Sequence, residues 1–197
     1  MGREFELKFA ANPESFAALL KKWDDFAVIS METTYYDTPD CALSARHITL
    51  RRRMENGISV CTVKTPISGH GRGEWELEWE DITTAIPKLC DLGATAALLV
   101  LTANGVVPVC GARFTRRAKL LQLPDCEVEI ALDEGLLLGG GRELPIREVE
   151  VELKSGSEEA AVAFAKALAE EFCFVPESKS KFVRARELAN ASRSTGE

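Results

Sequence analysis

The sequence predicts an α+β fold dominated by β structure, with about eight strands in antiparallel order and some four helices packed outside them. Three observations predict it. Period-two alternation of apolar and charged residues is the dominant pattern along the chain. Turn signals, among them Asn56-Gly57 and Gly139-Gly140-Gly141, separate neighbouring alternating runs. Helical periodicity is confined to a few capped stretches.

Residues 4–10 (EFELKFA) place Glu4, Glu6 and Lys8 on one face and Phe5, Leu7 and Phe9 on the other, a half-buried strand. Asn12-Pro13 then supplies a helix cap with proline at the first helical position. The spacing of Phe16, Leu19, Leu20 and Trp23 predicts an amphipathic helix to about Phe26. Strands are expected at 31–37 and 47–54, and the Asn-Gly turn leads into another at 58–65. The glycine-rich segment 66–73 reads as a flexible loop, and 74–80 (EWELEWE) is the cleanest alternation in the chain. Residues 83–103 are helical, with breaks at Pro87 and Gly93. Strands resume at 112–121, 126–133 and 146–154, followed by helices at 157–172 and 178–189. No internal repeat or linker interrupts this order, so residues 1–190 are expected to form one domain and 191–197 a disordered tail.

With 46% apolar and 28% charged residues, the composition is that of a soluble globular protein. The densest apolar run, Ala94 to Leu101, is far too short to span a membrane, and the charged start carries no secretory signal. A net charge of −7 and a pI near 5.1 argue against a duplex nucleic-acid partner, while leaving room for a small anion at a local basic cluster. Six scattered cysteines without a close pair read as buried free thiols in a reducing cytoplasm. Two histidines, His47 and His70, are too few for a histidine-based metal centre, which leaves carboxylate oxygens.

The charged strand faces are the unusual feature. One strand carries Glu4, Glu6 and Lys8; others carry Glu74, Glu76, Glu78 and Glu80, then Glu127, Glu129 and Asp133, then Glu148, Glu150, Glu152 and Lys154. Between them lie Arg51, Arg53, Lys64, Arg116 and Arg117. Alternate residues on one strand face sit roughly 6.5–7 Å apart, so stacked carboxylates repel unless water, basic neighbours or cations offset them. Carboxylates suit hard cations such as Mg²⁺ or Mn²⁺, and arginines suit phosphate oxygens. Two arrangements satisfy the pattern. The charged faces could be the solvent sides of an ordinary sandwich, or they could line the lumen of a barrel whose apolar exterior is covered by helices.

In order along the chain, Glu4-Phe5-Glu6-Leu7-Lys8 (ExExK), Tyr35-Tyr36-Asp37-Thr38, Leu50-Arg51-Arg52-Arg53, Thr62-Val63-Lys64, Arg72-Gly73-Glu74, Glu129-Ile130-Ala131-Leu132-Asp133, Glu148-Val149-Glu150-Val151-Glu152-Leu153 and Ser180-Lys181-Phe182-Val183-Arg184 resemble the motifs of the CYTH domain, the triphosphate tunnel metalloenzymes. The resemblance covers about residues 3–188 and is nearest to the bacterial inorganic triphosphatase branch. Some members of that branch carry a following helical CHAD domain, so this chain is expected to be a stand-alone member or part of a longer one.

The resemblance implies an eight-stranded antiparallel tunnel that hydrolyses inorganic triphosphate to diphosphate and phosphate. Lys8, Arg51, Arg53, Lys64, Arg116, Lys181 and Arg184 are implied to hold phosphates. Glu4, Glu6, Glu150 and Glu152 are implied to ligate two Mg²⁺ or Mn²⁺ ions, with Glu129, Asp133 and Glu148 as further candidates. The implied catalytic set is Glu4, Glu6, Lys8, Glu150 and Glu152. The implied partner is a small triphosphate, with neither nucleic acid nor membrane, acting as a monomer or homodimer. Thiamine triphosphate hydrolysis, class IV adenylyl cyclase chemistry, and a non-catalytic polyphosphate-binding module are the alternatives. Tyr36 and Asp37 read as a turn anchor, and Arg52 as pointing outward between Arg51 and Arg53.

Overall fold

The computed structural model describes residues 2–66 and 72–191, with side chains from Phe5 onward. The centre of the glycine-rich loop with His70, most of the expected tail, and the Glu4 side chain therefore lie outside the described residues. Ten strands run in the order β1 (Gly2–Glu4), β2 (Glu6–Ala10), β3 (Ala27–Asp37), β4 (Thr49–Glu55), β5 (Ile58–Pro66), β6 (Arg72–Glu78), β7 (Val107–Gln122), β8 (Cys126–Gly139), β9 (Arg142–Gly156) and β10 (Val175–Pro176). Helices are α1 (Pro13–Lys22), α2 (Ile82–Asp91), α3 (Ala97–Leu101), α4 (Glu158–Phe172) and α5 (Lys181–Ala191).

All strands pair antiparallel in one sheet ordered β1-β6-β5-β4-β3-β7-β8-β9-β2-β10. The two ends of this ladder are joined by the chain itself. β1 pairs with β6, β2 pairs with β9, and only Phe5 separates β1 from β2. The Phe5 carbonyl still accepts a hydrogen bond from Leu153 N at 2.9 Å. Hydrogen bonding is thus interrupted at one residue, while covalent continuity closes the ring. Counting β1 and β2 as one interrupted strand, and setting aside the two-residue β10, gives the eight-stranded antiparallel barrel expected from the sequence.

Local chemistry explains the elements. Asn56 (φ 49°) and Gly57 (φ 90°) turn β4 into β5, and Gly140 (φ 59°) with Gly141 (φ 74°) turns β8 into β9. Positive φ at both central residues matches the twist of a two-residue hairpin. Asn12 Oδ1 accepts from Ser15 N at 2.8 Å to cap α1, and Asp81 and Ser157 cap α2 and α4 in the same way. α1 ends at Lys22 rather than near Phe26, because the chain turns into β3 through Asp25 in the left-handed region. α2 runs through Pro87, contrary to the expected break. Thr83, whose carbonyl Pro87 cannot engage, is exposed to water. The helix stops instead before Gly93 at φ 105°.

α1 and α4 cover the outer face of β2, β8 and β9 through Phe9, Phe16, Leu19, Val149, Val151 and Leu168. α2 and α3 cover β4 to β6 through Leu50, Val63, Trp75, Ile86, Leu89 and Leu98. With helices on the apolar outer faces, the charged faces point inward. α5 differs from the other helices: its Ala185 packs with Met31, Ala112, Phe114, Leu137 and Ile146, which share the inward parity. Gly139 permits this approach, since a Cβ there would lie 2.3 Å from the Ala185 carbonyl oxygen. The cysteines are free, but only Cys61 and Cys126 are buried. Cys41 and Cys173 are exposed, both at turns with positive φ, which corrects the expectation of buried thiols throughout.

Candidate active site

The barrel encloses a cavity of about 630 Å³, in the range of small-ligand sites. Its wall is charged on both sides. β4, β5 and β6 contribute Arg51, Arg53, Lys64 and Arg72, with Glu55, Glu74 and Glu76 among them. β2, β8 and β9 contribute Glu6, Lys8, Glu129, Glu150, Glu152 and Lys154. Arg116 comes from β7, Tyr35 from β3, and Lys179, Lys181 and Phe182 from α5 and the residues before it.

The basic wall is crowded. Arg51 Nη2 and Lys64 Nζ lie 3.4 and 3.3 Å from the same Glu74 oxygen. Burial would raise the Glu74 pKa, but Lys64 and Arg51 outweigh it and hold the carboxyl below its usual range. Arg53 donates to Glu55 at 2.6 Å. Burial and the Arg51 guanidinium both make the charge on Arg53 less favourable than usual. An anion in the cavity would offset this cost at Arg53. Arg72 donates to the His47 carbonyl (2.8 Å), Thr49 Oγ1 (3.1 Å) and the Lys64 carbonyl (3.2 Å), tying the ends of three strands together at the rim.

The acidic wall follows from strand register. Glu6 on β2 is directly opposite Glu152 on β9, which is directly opposite Glu129 on β8. Three carboxylates thus form a row across adjacent strands, an arrangement that is unfavourable without cations. Lys154 reaches Glu152 at 3.0 Å and Glu129 at 3.7 Å, and Lys8 reaches Glu6 at 3.3 Å. This all-oxygen donor set fits a hard divalent cation.

One register step deeper, Lys8 faces Glu150. Behind the lining, Asp133 and Glu148 are directly opposite each other and almost fully buried. Asp133, Glu148 and Glu150 offer oxygens within 4.8 Å of one another, a grouping that could hold a metal. The Lys181 ammonium lies among these three carboxylates, at 2.7 Å from Asp133, 2.6 Å from Glu148 and 2.7 Å from Glu150. Arg116 grips Asp133 through Nε (2.8 Å) and Nη2 (2.7 Å) and also donates to Glu150. Burial alone would raise the Glu150 pKa, but Lys181 and Arg116 drive it far below the carboxylate range. Burial would lower the Lys181 pKa, and Glu150 and Asp133 instead raise it, so Lys181 and Glu150 both carry charge at neutral pH. Arg184, one turn along α5, pairs with Glu148 and lies 3.4 Å from Glu177.

Of the residues named from sequence, Glu6, Lys8, Arg51, Arg53, Lys64, Arg116, Glu129, Glu150, Glu152 and Lys181 line one cavity. Asp133, Glu148 and Arg184 stand behind it. Arg52 is on the outer face, donating to Ser59 Oγ at 2.9 Å. Sequence reasoning missed two things here. Tyr35 packs on Phe182 with ring centroids 5.2 Å apart, inside the cavity. Arg186 on α5 donates at 2.5 Å to Asp37, which also accepts from Thr38 N, Leu43 N and Ser44 Oγ. Asp37 is fully buried and anchors its turn as its position suggested, but its link to α5 had no signal in the sequence.

A family profile described as the CYTH domain matches residues 2–185. The chain belongs to the CYTH family. Among curated proteins, the chain is 31% identical over 177 residues to an inorganic triphosphatase of Haemophilus influenzae, with 85% of this chain aligned. This CYTH chain spans about half the length (50%) of that relative. Two solved structures share the fold. One is the Hippeastrum protein HpAC1, a proposed adenylyl cyclase described as having a dominant triphosphatase activity (TM-score 0.63, 18% identity, 93% of this chain and 95% of that one). The other is PH1819 of Pyrococcus horikoshii OT3 (TM-score 0.62, 24% identity, 91% and 96%). Among the described residues, no helix is long and apolar enough to cross a membrane.

Proposed function

We propose that this CYTH domain hydrolyses the terminal phosphate of inorganic triphosphate with the aid of Mg²⁺ or Mn²⁺. One observation carries the reading: a single cavity has an arginine- and lysine-rich wall on one side and a row of opposed glutamates on the other. A metal-bound polyphosphate requires both. The similarity to the Haemophilus triphosphatase supports it.

Arg51, Arg53, Lys64 and Arg72 bind phosphate oxygens from one side and orient the chain of phosphates along the cavity. Lys8 and Arg116 reach it from the other side. Glu6, Glu129 and Glu152 would hold the divalent ion, with Glu4 as the further ligand that the sequence implies. Such an ion neutralises phosphate charge and lowers the pKa of a bound water. The protein's own contribution is positioning and charge stabilisation, which dominate phosphoryl transfer.

The test is phosphate release from tripolyphosphate, ATP and thiamine triphosphate in parallel, with Mg²⁺, Mn²⁺ or EDTA, for wild type and Glu6→Gln. Metal-dependent release that favours tripolyphosphate and collapses in the variant is the expected result. Tight polyphosphate binding without turnover of any substrate would make the domain a binding module instead.

A further inference from the structure

Asp133 and Glu148 were candidate metal ligands, yet a cation already sits between them. Lys181 Nζ is within 2.6–2.7 Å of Asp133, Glu148 and Glu150, and its side chain is only 9% exposed. The contact with Glu150 is a hydrogen bond and those with Asp133 and Glu148 are ion pairs of similar length, so one ammonium answers three carboxylates. Arg116 and Arg184 hold the remaining oxygens of the same cluster. A divalent ion could enter only by displacing Lys181. That would leave a buried ammonium without partners, an uncompensated buried charge that strongly disfavours the exchange.

Lys181 is also the first residue of α5, the helix that packs on inward-facing residues of the barrel. Arg184 on the same helix is bound to Glu148. The carboxylate cage thus fixes where α5 begins and therefore where Lys181 and Phe182 meet the cavity.

We propose that Lys181 is the resident cation of the Asp133–Glu148–Glu150 cage, so that Asp133 and Glu148 are positioning residues for α5 and divalent metal is confined to the glutamate row centred on Glu152. This rests on the metal-dependent reading above. It goes beyond that reading by excluding two of the carboxylates from the metal site and assigning them a different task.

Mn²⁺ binding without substrate, counted by the EPR signal of the free ion, tests it. Glu148→Gln is expected to leave Mn²⁺ stoichiometry and affinity unchanged within about twofold, while Glu152→Gln weakens Mn²⁺ by tenfold or more. Lys181→Met is expected to gain one Mn²⁺ equivalent, which adding Asp133→Asn removes. A tenfold loss of Mn²⁺ affinity in Glu148→Gln would overturn the proposal while leaving a metal-dependent enzyme in place. Unchanged affinity in Glu152→Gln would overturn it together with the assignment of the row. A folded Lys181→Met protein that gains no ion would also overturn it; should that variant not fold, the Glu148→Gln and Glu152→Gln titrations decide. Positioning has its own readout. Glu148→Gln is expected to raise KM for tripolyphosphate more than it lowers kcat, and Glu148→Asp to restore part of the loss.

Discussion

Glu152 is the centre of a row of like charges, so replacing it should separate stability from function. In Glu152→Gln two directly opposed carboxylate pairs, with Glu6 and with Glu129, are relieved. Each such pair is unfavourable by about 0.2–1 kcal/mol. The change also removes the contact of Lys154 with Glu152, a part-exposed ion pair of about 0–1 kcal/mol. The balance without metal runs from a loss of about 0.6 kcal/mol to a gain of about 2 kcal/mol. For a chain of 197 residues this moves Tm by roughly −2 to +8 °C. With metal the order reverses. At a hundredfold excess over Kd, Mn²⁺ stabilises the wild type by about 2.7 kcal/mol, a rise of roughly 5–10 °C. A hundredfold weaker variant keeps only about 0.4 kcal/mol at the same concentration. Thermal unfolding followed by circular dichroism, with EDTA and with Mn²⁺, reads both numbers. A variant more than about 1 kcal/mol less stable in EDTA would refute the repulsion argument. One that keeps the full Mn²⁺ shift would refute the metal assignment.

Arg186→Met removes the ion-pair partner of fully buried Asp37 while leaving its bonds to Thr38, Leu43 and Ser44. A loss of about 2–3 kcal/mol is expected in urea unfolding, below the full cost of a broken buried pair because those bonds remain. The same pair sets an acid limit. Burial would raise the Asp37 pKa, but Ser44, Arg186 and the backbone donors of the turn lower it below the ordinary value. Its contribution to stability is therefore complete above about pH 4 and is lost as pH falls through the depressed native value. The acid-unfolding curve of Asp37→Asn should be shallower in that window. Gly139→Ala puts a Cβ 2.3 Å from the Ala185 carbonyl oxygen and 2.7 Å from Ala189 N, both backbone atoms of α5. A loss of about 1–3 kcal/mol and a several-fold rise in KM for tripolyphosphate are expected, because α5 carries Lys181. Arg53→Lys retains the charge but loses the planar fork. About tenfold weaker tripolyphosphate binding by calorimetry, or about 1.4 kcal/mol, is expected, and unchanged affinity would place Arg53 outside the phosphate contacts.

The strands were legible because they alternate so strictly that parity alone sorted their residues into two faces, and the resemblance to the CYTH domain turned the charged face inward; Arg51 and Arg53 line the cavity while Arg52 does not. Parity is local. What it could not supply is register, which decides which inward residues stand opposite one another. The row of Glu6, Glu152 and Glu129 joins residues more than a hundred positions apart, and nothing near Glu6 specifies its neighbour. For the same reason Asp133 and Glu148 could be listed as carboxylates of the right face, but not as the cage of Lys181. Arg186 was visible as a helix cation, yet its partner Asp37 lies on a distant turn. Pro87 marked a break that did not occur, since solvent exposure at Thr83 removes most of the reason for one.

The interrupted first strand has a bearing on how the molecule is made. Residues 2–4 and 6–10 pair with strands reaching residues 78 and 156, so the earliest part of the chain must wait for a late one before the ring can close. Such distant pairings are entropically costly and form slowly. Glu6 meets Glu152 only at that closing step. A nascent or partly unfolded chain can therefore assemble the arginine wall, whose strands are sequential hairpins, but not the glutamate row. The proposed metal row is therefore complete only once the ring has closed.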